Sequence, residues 1–364
     1  MEHTAIDGDG DPVWDVRPGE QLVPGVASWE RLGVGIRCET WLGWSRPMWC
    51  PVTVKLARPH QRTHPRAKAS LVREVAALHS NPHPALPALI SDASDDDIPH
   101  IITEYIDGPP LSDVVDDEPL DAGSAAMLGI HLLAALTTLH RRNIAHLDLK
   151  PENVVVRDGR PVLVDFGCAR TIGSTQPAGR PVGTPGYSAP EMEACQPISA
   201  AMDVYGVGAT LREAFSGYSV YDNDPERRRM ATQPPYPPGN PTLVALIATM
   251  LSERPSERPS ISEALDAFAD LFDPETRPWP PWLSARPPPP QGDAEGPHLH
   301  HLHSTAGKES PTGDSFPAFM AHSRSTIGLS GGPGELHSRA PTDIQPVMLR
   351  SHITGCGMSG PRLC

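Results

Sequence analysis

Two β-branched runs, Asn153-Val154-Val155-Val156-Arg157 and Arg160-Pro161-Val162-Leu163-Val164, flank the dipeptide Asp158-Gly159. Asp-Gly is favoured where a two-residue turn needs positive φ at both central positions, so this stretch specifies a tight antiparallel hairpin. A hairpin returns its ends to one another, and here the ends carry chemistry. His146-Leu147-Asp148-Leu149-Lys150-Pro151-Glu152-Asn153 leads into it, and Asp165-Phe166-Gly167 follows it. The turn therefore gathers two aspartates, a lysine and an asparagine at one mouth. Phosphoryl transfer demands such a set, because it needs oxygen ligands for cations that bridge phosphates and an acidic group to aim an acceptor hydroxyl.

Around the hairpin the pattern is mixed. Val52 to Leu56 is short and β-branched, as a strand requires, whereas Ala67 to His79 places Leu71, Val75 and Leu78 at helical spacing. Ala125 to His140 has the broad apolar face of a buried helix, and helical patterns return at Val204 to Phe215, Leu243 to Leu251 and Ile261 to Phe272. Ser260 with Glu263 three residues on predicts a capping box for the last of these. A small β-rich unit followed by a mainly helical one is the expectation.

Composition narrows the function. With 30 Lys+Arg against 44 Asp+Glu the formal charge is −14, which argues against a dedicated nucleic-acid binder or a protein held to anionic lipid. The six cysteines form no C-x-x-C pair, so neither a zinc module nor a disulfide scaffold is expected, and a reducing cytoplasm fits. The start of the chain lacks a signal-peptide pattern, and no stretch of about 18 apolar residues is expected to cross a membrane. Of the 44 prolines, 15 fall between Asp273 and Cys364 with little apolar periodicity, so that tail is expected to be disordered. Its Pro-rich run favours extended polyproline conformation, suited to a spacer or to a protein partner with an aromatic-lined groove. The tail histidines at 298, 300, 301 and 303 have no scaffold that would fix metal geometry.

The order H-L-D-L-K-P-E-N, D-F-G, then Ala189-Pro190-Glu191, spread over the chain with Val52-Thr53-Val54-Lys55 upstream, resembles the eukaryotic-like serine/threonine protein kinases of bacteria, actinobacterial by composition. The resemblance runs from about Trp29 to Phe272. It implies an α+β, protein kinase-like bilobal fold with a small β-rich N-lobe and a mainly α-helical C-lobe. The expected divisions are a flexible acidic leader (1–25), N-lobe (26–106), C-lobe (107–272) and disordered tail (273–364). It also implies ATP and Mg²⁺ as cofactors, with Mn²⁺ as an alternative, and Ser/Thr-bearing proteins as substrates. Asp148 would orient the acceptor hydroxyl, Lys150 would steady the γ-phosphoryl group, and Asn153 with Asp165 would hold the metal ions. Lys55 would grip the α- and β-phosphates, with Glu74 as its helical partner. Thr103 would lie behind the adenine, with the backbone of Glu104 and Ile106 along its edge.

The chain departs from the family pattern twice. In Gly33-Val34-Gly35-Ile36-Arg37-Cys38-Glu39-Thr40 the first two glycines of the phosphate-covering loop are present, but Cys38 stands where a third is usual and Thr40 where Val would pack on adenine. Cys38 could act there as an oxidation switch, but without a lowered pKa a structurally ordinary thiol is the favoured reading. Leu147 replaces the arginine that in the family receives an activation-segment phosphate, which predicts activity independent of phosphorylation at Thr171, Ser174 or Thr175. Gly183-Thr184-Pro185-Gly186-Tyr187-Ser188-Ala189-Pro190-Glu191 and Lys150 resemble the serine/threonine branch, with Thr184 bridging Asp148 and Lys150. Glu191, Arg258 and Asp203 are expected as scaffold. The alternative from another class is a pseudokinase, a nucleotide-binding scaffold without catalysis.

Overall fold

The structure, a computed structural model, describes residues 4–217 and 240–272. The expectations for the proline-rich tail lie outside the described residues. In chain order the strands of the first half are β1 (Thr4–Ile6), β2 (Pro12–Trp14), β3 (Gln21–Val23), β4 (Val26–Val34), β5 (Cys38–Ser45) and β6 (Cys50–Ala57). Helix α1 (Pro65–Leu78) and strands β7 (Leu89–Ala93) and β8 (His100–Glu104) complete it. Six of these strands form one antiparallel sheet in the order β3-β4-β5-β6-β8-β7.

Register decides what each face of this sheet carries. Thr40 pairs with Lys55, Lys55 with Ile101, and Thr53 with Thr103. Directly opposed residues share a face and alternate residues return to it, so Cys38, Thr40, Lys55, Ile101 and Thr103 lie on one side. Helix α1 packs there, with Leu71 against Cys38 and Ile101. The other face holds Trp41, Val52, Val54, Leu56 and Ile102, covered by Trp14, Leu22 and Val23.

That cover corrects the sequence reading. Residues 4–25, expected as a loose leader, form β1 to β3, and Trp14 is 2% exposed. Its ring supplies apolar area whose burial contributes on the order of 3 kcal/mol, and its indole N–H donates to Ala57 O at 2.9 Å. The Trp14 backbone N–H donates to the fully buried Glu39 carboxylate at 2.9 Å, which also accepts from Trp41 Nε1 at 3.1 Å and pairs with Arg31 Nε at 3.2 Å. An acidic, glycine-rich stretch gives no periodicity of its own, so only the sheet surface it covers reveals it.

The second half is helical. It comprises α2 (Leu111–Asp117), α3 (Ala122–His140), β9 (Ile144–Ala145), β10 (Val154–Arg157), β11 (Arg160–Leu163), β12 (Arg170–Thr171), α4 (Pro190–Glu193), α5 (Ala200–Ser216), α6 (Pro241–Met250) and α7 (Ile261–Ala269). Strands β10 and β11 pair around Asp158 (φ 50°) and Gly159 (φ 74°), the turn that Asp-Gly specifies. The expected capping box of α7 is present, Ser260 accepting from Glu263 N while Glu263 accepts from Ser260 N. By length and composition the 19-residue α3 is apolar enough to cross a bilayer, contrary to the expectation of no such stretch. Its apolarity is spent on the core, because Leu128, Leu132, Leu133, Leu136 and Leu139 are all buried. Phe268 of α7 lies so close that a Cβ on Gly129 would sit 2.8 Å from its ring.

Candidate active site

Lys55 reaches from the inner face of β6 to two carboxylates of separate origin. Its Nζ lies 2.7 Å from Glu74 Oε2 on α1 and 2.5 Å from Asp165 Oδ1 beyond the hairpin. Glu74 stands on the buried stripe of α1 with Leu71 and Leu78, so its carboxylate enters low-dielectric surroundings and needs a cation. Burial pushes the Glu74 carboxyl up while Lys55 pulls it down. For Lys55, burial works against the charge, but Asp165 and Glu74 more than offset it and hold the ammonium above its ordinary range. Lys55 in turn holds the half-exposed Asp165 carboxyl at about 2.

Asp165 adopts φ 59°, a costly conformation for a residue with a Cβ, and its Oδ1 accepts from Gly167 N at 3.1 Å. The next side chain, Phe166, is fully buried and meets His146 edge to face at 4.9 Å. Arg73, which sequence reasoning assigned no role, donates from Nε to Gly167 O at 3.0 Å. A lone arginine beside a helical glutamate gives no sequence signal for this.

Across the hairpin mouth, Asp148 is aimed by two donors. Thr184 Oγ1 donates to its Oδ1 at 2.6 Å and Asn153 Nδ2 to its Oδ2 at 3.0 Å, with a second Asn153 bond to the Asp148 carbonyl at 2.8 Å. Lys150 Nζ donates to Thr184 Oγ1 at 3.1 Å, so the expected bridge by Thr184 is present. With its Nδ2 spent on Asp148, Asn153 offers its amide oxygen, and Asp165 keeps Oδ2 clear of Lys55. Those are hard oxygen donors from two sides of one mouth, and they fit Mg²⁺ completed by phosphates and water. Among the described residues no group of three or more His, Cys, Asp or Glu forms a metal centre of its own.

The loop that carries Asp148 hangs from Asp203 of α5. This fully buried carboxylate accepts from His146 N and Leu147 N, both at 2.8 Å, and from His140 Nε2 at 2.7 Å. Burial would raise its carboxyl, but these donors hold it below the usual range. Glu191 and Arg258 form the expected two-pronged pair at 2.6 and 2.8 Å, with the Arg258 guanidinium over the Tyr205 ring.

His146 is fixed as a neutral tautomer. Its Nδ1 accepts from Asp148 N at 3.2 Å and its Nε2 faces Val164 O at 3.3 Å, so the proton sits on Nε2. Burial pushes its pKa below the ordinary 6.5, with Asp203 opposing. The unfolded chain therefore takes up a proton that the folded chain refuses, and this stability is complete above about pH 6.5 and lost as pH falls toward the lowered folded value. Thermal unfolding at pH 7.5 and 5.5 should show a Tm decrease in the wild-type chain that is smaller in His146→Gln. Equal decreases would refute the assignment.

The remaining expected site residues fall along the inner sheet face and its rim. Thr103 is buried at the end of β8. Glu104 spends its backbone N–H on Ala88 O at 2.8 Å and its side chain on Arg157 Nη1 at 2.5 Å. No backbone hydrogen bond among the described residues uses the Ile106 N–H. Thr40 is half-buried beside Lys55. A Cβ on Gly33 would meet nothing within 4 Å, and one on Gly35 only Cys38 O at 3.3 Å. Protein packing thus leaves the space over Gly33 open, as a phosphate-covering loop requires. Cys38, expected with the nucleotide-facing residues of the loop, instead enters the core with Leu71 and Ile101, and burial pushes its thiol up to about 11, as the structurally ordinary reading has it. A protonated, buried thiol is not an oxidation switch.

Known proteins match the same region. The Serine/threonine-protein kinase pkn3 of Myxococcus xanthus is 30% identical over 250 residues, which cover 62% of this chain and 46% of that protein. The Probable serine/threonine-protein kinase PkwA of Thermomonospora curvata is 30% identical over 242 residues, 65% of this chain and 32% of its own length. Serine/threonine-protein kinase PknB of Mycolicibacterium smegmatis is 28% identical over 262 residues, 67% and 42% respectively. The chain thus spans less than half the length of these curated relatives. Residues 27–268 match the family model for the protein kinase domain, a span that contains every site residue placed above, and the chain belongs to that family.

Proposed function

We propose that this chain transfers the γ-phosphoryl group of ATP to serine or threonine hydroxyls of proteins. The observation that carries the reading is the double anchoring of Asp148 by Thr184 and Asn153, with Lys150 on the same threonine. A carboxylate so fixed can accept a hydroxyl proton in line, while Lys150 stands ready for charge on the transferred group. Lys55, held by Glu74, would bind the α- and β-phosphates, and the Asn153 and Asp165 oxygens would hold Mg²⁺ or Mn²⁺. Bound ATP supplies the phosphoryl group, and the cation neutralises charge on it. The adenine would lie against Thr103 and the backbone of Glu104 and Ile106. Residues 26–106 and 107–272 act as N-lobe and C-lobe in this reading, and the free described cysteines suit a cytoplasmic setting. The complete ion-pair set disfavours a pseudokinase. Incubation with labelled ATP, Mg²⁺ and a basic protein tests the reading, and absence of label on any protein despite nucleotide binding would refute it.

Activity should not need activation-segment phosphate. Leu147, in place of arginine, is buried at φ 70°, and beyond Ala169 the segment is pinned by backbone and amide contacts. Ile172 N donates to Asn143 O and Gly173 N to Ile198 O, while Gln176 Nε2 donates to Gln196 O at 2.8 Å and its Oε1 accepts from Val182 N. Two cations do stand near the start of the segment, where Arg73 and Arg170 bind the carbonyls of Gly167, Cys168 and Ala169. The triple variant Thr171→Ala, Ser174→Ala, Thr175→Ala should retain transfer within about two-fold of wild type. Loss of activity through loss of segment phosphate, read by mass spectrometry, would sink this.

A further inference from the structure

The N-terminal hairpin, which lies outside the matched family region, touches the glycine turn through one buried side chain. Arg58, 4% exposed, stands just after β6. Its Nη2 lies 2.6 Å from Asp7 Oδ2, its Nε donates to Pro12 O at 3.2 Å, and its Nη1 donates to Gly35 O at 3.2 Å. The Arg58 backbone N–H donates to Arg37 O at 2.9 Å. A single guanidinium thus joins both sides of the β1–β2 hairpin to the turn between β4 and β5.

Asp7 is prepared for this contact. Its Oδ1 accepts from Asp9 N at 3.1 Å and Asp11 N at 2.9 Å, which orients Oδ2 toward Arg58 and holds the carboxyl below its usual range. The hairpin itself is seated by Trp14 and the buried Glu39. Within the turn Gly35 N donates to Cys38 O at 2.8 Å, while the side chains at its tip stand out in solvent: Val34 is 42% and Ile36 79% exposed. Its far side is tied down by Cys38 in the core, where a glycine would leave the backbone freer.

We propose that Arg58 and Asp7 are positioning residues through which the N-terminal hairpin pre-sets the glycine turn for nucleotide phosphates. This rests on the reading of the site as an ATP site. Neither residue touches the reacting atoms. Their contribution is the ordering of the Gly35 peptide before nucleotide arrives, which lowers the conformational cost of binding without changing the transfer step.

The test is carried out in the full chain with Asp7→Ala and Arg58→Met, Asp7→Ala being the variant at the less buried partner. Both should raise the KM for ATP roughly three- to ten-fold with kcat within about two-fold. Amides 33–38 of the nucleotide-free protein should exchange hydrogen faster in both, while Asp7→Asn, which retains the Oδ1 turn acceptor but lacks the charge, should fall between wild type and Asp7→Ala. An unchanged KM and unchanged exchange at 33–38 in folded Asp7→Ala would overturn the proposal. So would equal losses of kcat and Tm with no change in KM, which is the mark of a merely structural role. If the wild-type chain neither binds ATP nor transfers phosphate, the ATP reading fails, yet the exchange comparison still decides whether the hairpin holds the turn.

Discussion

Asp148→Asn should lower phosphoryl transfer from ATP to a basic protein by about 10²–10⁴-fold while leaving ATP affinity within about two-fold of wild type. The substitution keeps the size of the side chain and removes its capacity to take a proton. It also puts an NH₂ group where one of two donors now points, Thr184 Oγ1 at 2.6 Å or Asn153 Nδ2 at 3.0 Å. With the NH₂ toward Thr184 the hydroxyl must reverse from donor to acceptor, and with it toward Asn153 two donors face each other, so either orientation disturbs the aim of the side chain. Lys55, Glu74 and Asp165 form their own cluster through Lys55 Nζ and do not bond Asp148, so phosphate binding should survive. Label transfer and a nucleotide-binding titration on the same protein separate the two effects. Transfer near the wild-type rate would remove Asp148 from the chemistry.

The largest stability effect is expected at Asp203. Replacing it by Asn should cost about 3–5 kcal/mol, read as a lower urea midpoint with unchanged m-value. Its carboxylate accepts three bonds in a fully buried position, and two of the donors are consecutive backbone amides, His146 and Leu147. A carboxamide offers one acceptor oxygen and would turn its NH₂ toward at least one of those N–H groups. Leu147 is held at φ 70°, a left-handed conformation that costs a side-chain-bearing residue about 1–2 kcal/mol, and the two amide bonds are what hold it there. Their loss should release the loop and with it the direction of Asp148, so activity should fall together with stability. A loss below about 1 kcal/mol would show that the loop is held elsewhere.

The Asp148 side of the candidate site was legible because its residues are close in sequence. Asp148, Lys150 and Asn153 precede one hairpin and Asp165 follows it, so local turn chemistry at Asp158-Gly159 already brings them together. Helices α3, α5 and α7 were legible for the same reason, through a period that any one segment displays by itself. Glu74 could be chosen as the partner of Lys55 because the resemblance asks for a helical carboxylate and its neighbours on that helix include no other acid. Cys38 was grouped with the nucleotide loop because a loop motif says nothing of strand parity; one face of β5 points into the core against Leu71. Arg73 and Arg58 were missed because each acts on a backbone carbonyl, of Gly167 and of Gly35, and a carbonyl has no sequence signature.

Sequence alone therefore determined the bilobal kinase architecture, the ordered motif set and the identity of most ionisable groups at the site. Tertiary structure alone decided that Trp14 covers the outer face of the sheet and β3 extends its edge, that Cys38 is core, and that Arg58 joins the N-terminal hairpin to the glycine turn. The division has a physical cause. Turns, caps and helical stripes are written in neighbouring residues, whereas the burial of Trp14 and the pairing of Asp7 with Arg58, 51 positions apart, exist only once distant segments pack.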